Sequence, residues 1–365
     1  VGIGAVGGPR LLCRVPAMVA PKCPECGMVA FLEMQACPNC GSSIGYHYPS
    51  LSMVDGGPDG MILDGVRWVR CANWAWQCNW MVAADDESGR CFACRLIRRR
   101  PESDDTIALE KLADTAVALR RLLVQLLDLG LPVEPYYVRE GGLAFDLLSS
   151  RSGERVIIGH ADGVITIDLA ESLDAHREAQ RVRLGEPYRT MLGHFRHEVG
   201  HYYQQVLVTS EPMLGECRAL FGDERASYSD ALDRHYVFGA PENWADSFIS
   251  EYATMHPWED FAETFAHYLH ITGTLATAAA AGVVLDSDRI DGVIQHDVVP
   301  ALSYSDLGLD RALSDWHWLS MMFNRVNRSM GQRDLYPFTL TQPVIDKLAF
   351  VHRLVSATQP VAAGT

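Results

Sequence analysis

Residues 193–203 read Gly-His-Phe-Arg-His-Glu-Val-Gly-His-Tyr-Tyr, and they contain the pattern His-Glu-x-x-His. If this stretch is helical, His197 and His201 project from the same face because they are four residues apart. Two imidazoles placed in this way can bind one zinc ion, with the intervening Glu198 beside the metal-bound water as a general base. Apolar residues recur through the stretch at the spacing of a half-buried helix. The pattern therefore predicts the core of a zinc hydrolase, most often a peptidase.

A zinc ion that is held by two histidines and remains open to water needs a third protein ligand. An extended pattern with a third histidine on the same segment is excluded, because Gln204 and Leu207 stand where it requires Gly and His. A glutamate from a later helix is the other common solution, and residues 256–268 (HPWEDFAETFAHY) offer two on one face. We assign Glu259 to the metal, and we expect Glu263 to accept the second ring N–H of a zinc-binding histidine. The reverse assignment of the two glutamates stays open.

Peptide hydrolysis also needs a hydrogen-bond donor for the oxyanion of the tetrahedral intermediate. Tyr252 is our first choice, since it lies seven residues before Glu259 on the approach to the predicted helix. Position alone leaves three rival donors in the same part of the chain: His235, Tyr236 and His256. The sequence thus predicts two catalytic side chains, Glu198 as the base and Tyr252 as the donor.

Eight of the ten cysteines fall into two groups near the amino terminus. Two Cys-x-x-Cys-Gly knuckles predict one four-cysteine zinc site, formed by Cys23, Cys26, Cys37 and Cys40. A second set, in which only the last pair has knuckle spacing, predicts a second structural zinc site: Cys71, Cys78, Cys91 and Cys94. His47 is an alternative ligand, and Cys13 and Cys217 are expected to be unpaired. Metal binding supplies the folding energy that so small a module lacks.

Charge and composition restrict the partners of this chain. The net charge is −15, and all of the negative excess lies beyond residue 100, which disfavours nucleic acid and anionic membranes as partners. No run of about twenty apolar residues occurs, so no membrane span is expected. Knuckle cysteines suggest a reducing compartment, which favours a cytoplasmic protein. The expected partners are a peptide or protein substrate and a protein bound through the zinc ribbons.

The order of patterns along the chain predicts an α+β protein, with a zinc-ribbon module followed by a mainly helical zincin-like metallopeptidase domain that has a small sheet. An amphipathic helix is predicted over residues 104–129, and the strand predicted at residues 163–168 is our candidate for a substrate-binding sheet edge. The predicted segments are a disordered part or extension, the ribbon module, a connecting helix, the catalytic domain and a helical part packed on it. They cover residues 1–20, 21–100, 101–138, 139–270 and 271–365.

Several further motifs carry a family resemblance. They are CPEC at 23–26, CNW at 78–80, GEPYRT at 185–190, residues 193–203, residues 256–270, NRSMG at 327–331 and YPF at 336–338. Over residues 22–354 the chain resembles the bacterial zinc-binding metallopeptidases that carry an amino-terminal zinc ribbon. The resemblance implies a zincin domain. The approach to Glu259 also resembles lethal-factor-type gluzincins, in which a tyrosine seven residues before the zinc glutamate aids the transition state, and this supports Tyr252.

The chain departs from the family pattern at two places. Gln204-Gln205 follows the paired tyrosines where Trp-Asp is common, and the usual acidic run is reduced at residues 171–174. Neither departure affects the predicted zinc ligands. The sequence therefore favours a zinc endopeptidase with one catalytic and two structural zinc ions. The alternative is a non-catalytic zinc protein that binds a protein or nucleic-acid partner through its ribbons. An intact Glu198 favours the enzyme, because a scaffold has no need of a general base.

Overall fold

The structure, a computed structural model, describes residues 21–150, 156–169, 190–290 and 293–358. The chain forms two compact units, Val1–Phe92 and Ala93–Thr365. The predicted extension at residues 1–20, with Cys13, and the acidic run at residues 171–174 lie outside the described residues. The predicted α+β class is confirmed, with short strands and cysteine clusters first and a mainly helical part after them.

The first unit is built from short antiparallel strands joined by tight turns. A two-stranded sheet and a three-stranded sheet contain, in chain order, β1 (Ile44–His47), β2 (Ser52–Asp55), β3 (Met61–Leu63), β4 (Val66–Arg70) and β5 (Met81–Ala83). Each knuckle closes with a glycine after its second cysteine. Gly27 and Gly41 have φ values of +70° and +76°, in the left-handed region that glycine adopts without strain. The sequence therefore turns each cysteine pair toward a common point.

The sheet of the second unit has the order β6-β7-β9-β8, in which only β8 runs antiparallel to its neighbour. Its strands are β6 (Ile97–Arg99), β7 (Ala144–Leu148), β8 (Gly159–Ala161) and β9 (Val164–Asp168). The expectation that residues 163–168 form the sheet edge is wrong, because β9 lies between β7 and β8. Asp162 and Gly163, with φ values of +47° and +80°, fold the chain into a tight hairpin. That hairpin pairs β8 with β9 and makes β8 the edge strand.

Helices make up most of the second unit. In chain order they are α1 (Phe92–Leu96), α2 (Thr106–Asp128), α3 (Met191–Leu207), α4 (Glu211–Phe221), α5 (Tyr228–Phe238), α6 (Pro257–Ala280), α7 (Leu309–Ser329) and α8 (Gln342–Ser356), with α1 beginning at the division between the units. The prediction of a helix at residues 104–129 is confirmed by α2, whose N-cap Asp105 accepts a backbone N–H. Within the ranges that the structure describes, no helix is long and apolar enough to cross a membrane.

The packing of α3 against α6 positions the candidate site. Both helices have defined starts, since the Thr190 hydroxyl accepts a backbone N–H at the start of α3 and Pro257 opens α6. The two helices approach closely at Gly200, where an added Cβ would lie 2.8 Å from the Cα of Ala262. A side chain here would push the helices apart. This glycine therefore lets the histidine face of α3 meet the first turn of α6.

Candidate active site

Three side chains from α3 and α6 converge on one point. The Oε2 atom of Glu259 lies 2.9 Å from Nε2 of His197 and 3.4 Å from Nε2 of His201. One ligand atom from each of these residues lies within 4.8 Å of the other two. His197 and Glu259 are buried, and His201 is half-buried. Two imidazole nitrogens and one carboxylate oxygen form the donor set of a zinc site with room for water.

Glu263 lies behind His197, on the side away from the converging atoms. The Nδ1 atom of His197 donates to Oε1 of Glu263 over 2.6 Å, and the Ser250 hydroxyl donates to Oε2 of the same carboxylate over 2.7 Å. With its proton on Nδ1, His197 presents the Nε2 lone pair toward Glu259. The structure therefore places Glu259 at the converging point and Glu263 as the group that orients a histidine.

The short distance between His197 and Glu259 indicates whether a cation fits between them. The Oε2 atom of Glu259 is buried and has no hydrogen-bond partner in the described ranges, although His197 Nε2 is 2.9 Å away. A lone pair facing a carboxylate at that distance is repulsive unless a cation lies between them. The donor set and the orphaned oxygen therefore fit a divalent metal ion.

Glu198 lies on α3 between the two histidines. Nε2 of His194 is 3.2 Å from Oε1 of Glu198, while Oε2 of Glu198 is buried and has no hydrogen-bond partner in the described chain. Burial acts to raise the pKa of Glu198, but the hydrogen bond and charge of His194, with the charges of His197 and His201, lower it. The carboxylate is thus ionised, with one oxygen held and the other available to accept a proton.

Two tyrosines lie on the Glu259 side of the site. The ring of Tyr252 has its centroid 5.8 Å from that of His197. The hydroxyl of Tyr228, on α5, donates to Oε1 of Glu259 over 2.9 Å. Burial raises the pKa of both phenols above the usual range, so both remain hydrogen-bond donors at neutral pH. Sequence analysis did not identify Tyr228, because no spacing pattern connects α5 to the metal-ligand motifs.

The rival oxyanion donors have different surroundings. His256 caps α6, since its Nδ1 accepts the backbone N–H of Trp258 and its Nε2 donates to the carbonyl of Ala226. His235 lines a separate cavity at the end of α5. Tyr236 is exposed and lines the same cleft as Tyr252. The ring of Tyr252 lies against His197, a histidine of the converging set.

A cleft of about 760 Å³ contains the converging side chains. Strand β8 and the turn after it line this cleft, so the edge of the sheet borders the site. His160 of β8 is one of these lining residues, and its Nε2 accepts the backbone N–H of Gly163. Burial, followed by the charge of His201, lowers the pKa of His160 to about 4. The sequence offered no signal for His160, because its place in the cleft depends on sheet pairing.

The eight ribbon cysteines form two clusters. In each cluster the four Sγ atoms lie within 4.8 Å of one another, and the members are Cys23, Cys26, Cys37 and Cys40, then Cys71, Cys78, Cys91 and Cys94. Three Sγ–Sγ separations within the clusters are 3.6–3.7 Å, which is too long for disulfides and suits four thiolates around one ion. Two cysteines of the first cluster are exposed, whereas all four of the second are buried. His47 is not a member of either cluster, and its Nδ1 bonds the Ser50 hydroxyl.

The sequence matches a family described as "Putative zinc-binding metallo-peptidase" over residues 108–354 and a zinc-ribbon domain over residues 21–105. The chain belongs to that metallopeptidase family, and the His-His-Glu cluster fits a zinc peptidase. It is 45% identical over 345 residues to a protein of Mycobacterium bovis and to proteins of two Mycobacterium tuberculosis strains, all described as uncharacterized. The matches cover 93% of this chain and 95% of each relative. No solved structure matches.

Proposed function

We propose that this chain is a zinc-dependent endopeptidase that hydrolyses internal peptide bonds of polypeptides. The observation that carries the proposal is the convergence of His197, His201 and Glu259 beside the carboxylate of Glu198, inside a cleft bordered by a sheet edge. Two histidines and one glutamate leave a coordination position for water, whereas a purely structural zinc site is closed by four protein ligands. The reaction class follows from that open position and from the base beside it.

We assign the catalytic zinc to Nε2 of His197, Nε2 of His201 and Oε2 of Glu259, with two further zinc ions in the cysteine clusters. When bound, the catalytic ion supplies Lewis-acid activation of a water molecule and of the scissile carbonyl. Neighbouring side chains hold these donor atoms in position through hydrogen bonds. Glu263 fixes the orientation of His197, and Tyr228 holds the other oxygen of Glu259.

The side chains around the centre divide the proton transfers. Glu198 accepts a proton from the attacking water at Oε2 and passes it to the departing amine nitrogen. His194 supports this role because it holds Oε1 of the same carboxylate and leaves Oε2 facing the site. The hydroxyl of Tyr252 donates a hydrogen bond to the developing oxyanion. Burial supports the role of Tyr252 because it keeps the phenol protonated.

A polypeptide substrate is favoured by the edge strand. Strand β8 lies at the sheet edge and lines the cleft, so its outer backbone groups can pair with an extended chain. Such pairing reads the peptide backbone and does not require a chain end, which supports cleavage within a polypeptide. The cysteines of the two clusters form no disulfides, which suits a reducing compartment, and we therefore propose a cytoplasmic location.

The test compares wild type with Glu198→Gln on a peptide library derived from a digested proteome. We expect wild type to cleave and the variant to lose at least about a hundredfold in kcat/KM, because general acid–base catalysis contributes roughly 10²–10⁴-fold. Both proteins should contain the same amount of zinc, since Glu198 is not among the proposed ligands. Equal cleavage by the two proteins would contradict the assigned base. Absence of cleavage by both would contradict the peptidase.

One feature of the first unit favours a second function, binding of a protein partner. Phe31, Ile62 and Trp76 are exposed on this unit, although apolar side chains of this size are usually covered. The ribbons would then recruit a substrate or a regulatory protein. Replacing all three by serine should abolish such recruitment without changing the cleavage of short peptides. A loss of peptide cleavage in that variant would argue against a separate recruiting role.

A further inference from the structure

The aromatic side chains that line the cleft include Tyr228, Tyr236 and Trp258. We call these three residues the aromatic patch. Trp258 directly precedes Glu259 in the chain, and the Tyr228 hydroxyl bonds that carboxylate. Two members of the patch, Tyr228 and Trp258, therefore adjoin the atoms that converge on the proposed ion. A substrate side chain covering the patch would belong to a residue near the bond being cut.

Trp258 is held rigidly although much of it is uncovered. Its ring centroid lies 5.1 Å from that of His256 and 6.0 Å from that of Tyr228, and its backbone N–H is fixed by the helix cap. Even so, 42% of Trp258 and 56% of Tyr236 are exposed. The aromatic rings that pack α3 on α6, Tyr203 and Phe265, are fully buried. An exposed but preorganised indole in a cavity loses little conformational entropy when a ligand covers it.

Charge in the cleft selects against one class of side chain. Carboxylates line it at several positions, including Asp162 and Glu224, whereas no lysine or arginine does so among the described lining residues. Glu224 is paired with Arg218, which does not line the cleft, and the patch offers a substrate carboxylate no lysine or arginine as a partner. The patch itself carries no formal charge, so a lysine ammonium buried on it loses hydration that the aromatic faces offset only in part. An apolar side chain has neither cost.

We propose that the aromatic patch is a substrate subsite for a bulky apolar side chain, aromatic or long aliphatic, adjacent to the scissile bond of a polypeptide. This inference rests on the proposed peptidase function, because it assumes that a polypeptide occupies the cleft. The substrate class is therefore unfolded or extended chain segments that expose Phe, Tyr, Trp, Leu or Met. Side-chain burial against Trp258 supplies the selectivity, and pairing with β8 holds the backbone.

The experiment measures peptide binding separately from cleavage. Zinc-loaded full-length Glu198→Gln protein is titrated into fluorescein-labelled ten-residue Gly/Ser/Ala peptides that carry one central Phe, Leu, Asn, Asp or Lys. Fluorescence anisotropy gives each dissociation constant. We expect the Phe and Leu peptides to bind at least about tenfold more tightly than the others, since covering one large apolar side chain changes affinity by roughly that factor or more. Wild type should show the same order in kcat/KM.

Variants assign the preference to the patch. Trp258→Ala, made in the same Glu198→Gln protein, should reduce the preference for Phe over Asn to less than about twofold, and Trp258→Phe should restore part of it. Phe238→Ala is the matched control, because Phe238 is 80% exposed on the same helix as Tyr236 but does not line the cleft. Tyr236→Ala removes an exposed side chain of the patch and gives a second test if the Trp258 variant folds poorly. It should weaken Phe binding more than Asn binding.

Each outcome decides one question. Equal binding of all five peptides, a preference for Asp or Lys, or equal loss in the Trp258→Ala and Phe238→Ala proteins would overturn the subsite. Selective binding of Phe and Leu peptides without cleavage by wild type would overturn the peptidase and leave the subsite standing. Cleavage by wild type without a preference for the Phe and Leu peptides would overturn the subsite and leave the peptidase standing. Failure of every peptide to bind would overturn both.

Discussion

The cysteine clusters and the His-His-Glu centre are assembled in different ways. The first cluster draws its ligands from two tight turns and the second from irregular segments and Cys94 of α1, and four cysteines leave no position for another molecule. The centre takes His197 and His201 from α3 and Glu259 from the later helix α6, and it lies in a cleft. Local chain geometry therefore builds the clusters, whereas core packing builds the centre. The difference implies that metal in the clusters stabilises the fold and that metal in the centre supplies chemistry.

The largest effect is expected from breaking the buried cluster. Cys78→Ser should remove its ion and unfold the first unit, a loss on the order of 5 kcal/mol or more, because structural zinc contributes about 10–16 kcal/mol in small metal domains. Limited proteolysis of the full chain and zinc content by mass spectrometry give the readout. The matched control is Cys217→Ser, since Cys217 is buried but lies outside both clusters. Equal protease resistance of the two variants would argue against a structural role for the cluster.

His201→Ala should have the opposite effect to Cys78→Ser, because it should abolish activity and leave the fold stable. We expect kcat/KM to fall by at least about 10³-fold, or roughly 4 kcal/mol of transition-state stabilisation, because the open metal site is lost. The thermal unfolding temperature should change little, since α3 keeps its packing against α6. Zinc content should drop by one ion per chain. His317→Ala, an exposed histidine on α7, is the control for the substitution itself. Unfolding of the second unit by His201→Ala would show that the centre, like the clusters, is needed for the fold.

Gly200→Ala tests whether helix packing assembles the centre. The new Cβ would lie 2.8 Å from the Cα of Ala262, and because the contact is with backbone, α3 and α6 must separate. We expect a loss of about 1–3 kcal/mol in unfolding free energy and weaker zinc binding at the centre alone. Gly215→Ala is the matched control. Gly215 lies on α4 with no atom within 4 Å of an added Cβ, so alanine should be neutral or stabilising by up to about 1 kcal/mol.

The same contrast explains which features the sequence could predict. The knuckles and the two histidines of α3 follow from spacing within a few residues, because a turn or a helix fixes such neighbours directly. The glutamates of α6 were predictable because they repeat on one face of a helix that begins at a proline. Glycines after the second cysteine of each knuckle have the predicted left-handed backbone. The metal ligands within one turn or one helix can therefore be predicted from the neighbouring sequence.

Features that depend on pairing between elements were not accessible. Strand β9 has the alternating pattern of an edge strand, but the Asp162-Gly163 hairpin gives it a second neighbour and moves the edge to β8. Tyr228 and His160 enter the cleft only because α5 and β8 pack beside α3 and α6. No periodicity in the sequence encodes these distances. The sequence thus failed to predict side-chain positions that depend on which helices and strands pack together.

The smallest effect is expected from the phenol behind Glu259. The Tyr228 hydroxyl donates to Oε1 of Glu259 over 2.9 Å, which leaves Oε2 directed at His197 and His201. Removing that hydroxyl in Tyr228→Phe should free the carboxylate to rotate and weaken zinc binding at the centre by about tenfold, or roughly 1.4 kcal/mol, as is typical for groups that orient a metal ligand. Chelator competition on the full chain, with His201→Ala as the baseline for the clusters, measures this affinity.

Two further phenylalanine variants make that measurement specific. Tyr236→Phe removes a hydroxyl from the same helix at a residue that is 56% exposed, so zinc affinity should stay at the wild-type value. Tyr252→Phe should lower kcat without changing zinc affinity, because its proposed contact is with the oxyanion. Equal zinc affinity in the Tyr228→Phe and Tyr236→Phe proteins would show that α3 and α6 alone hold Glu259 in place. The centre would then hold its metal ligands without help from α5. The remaining difference from the cysteine clusters would be its open coordination position.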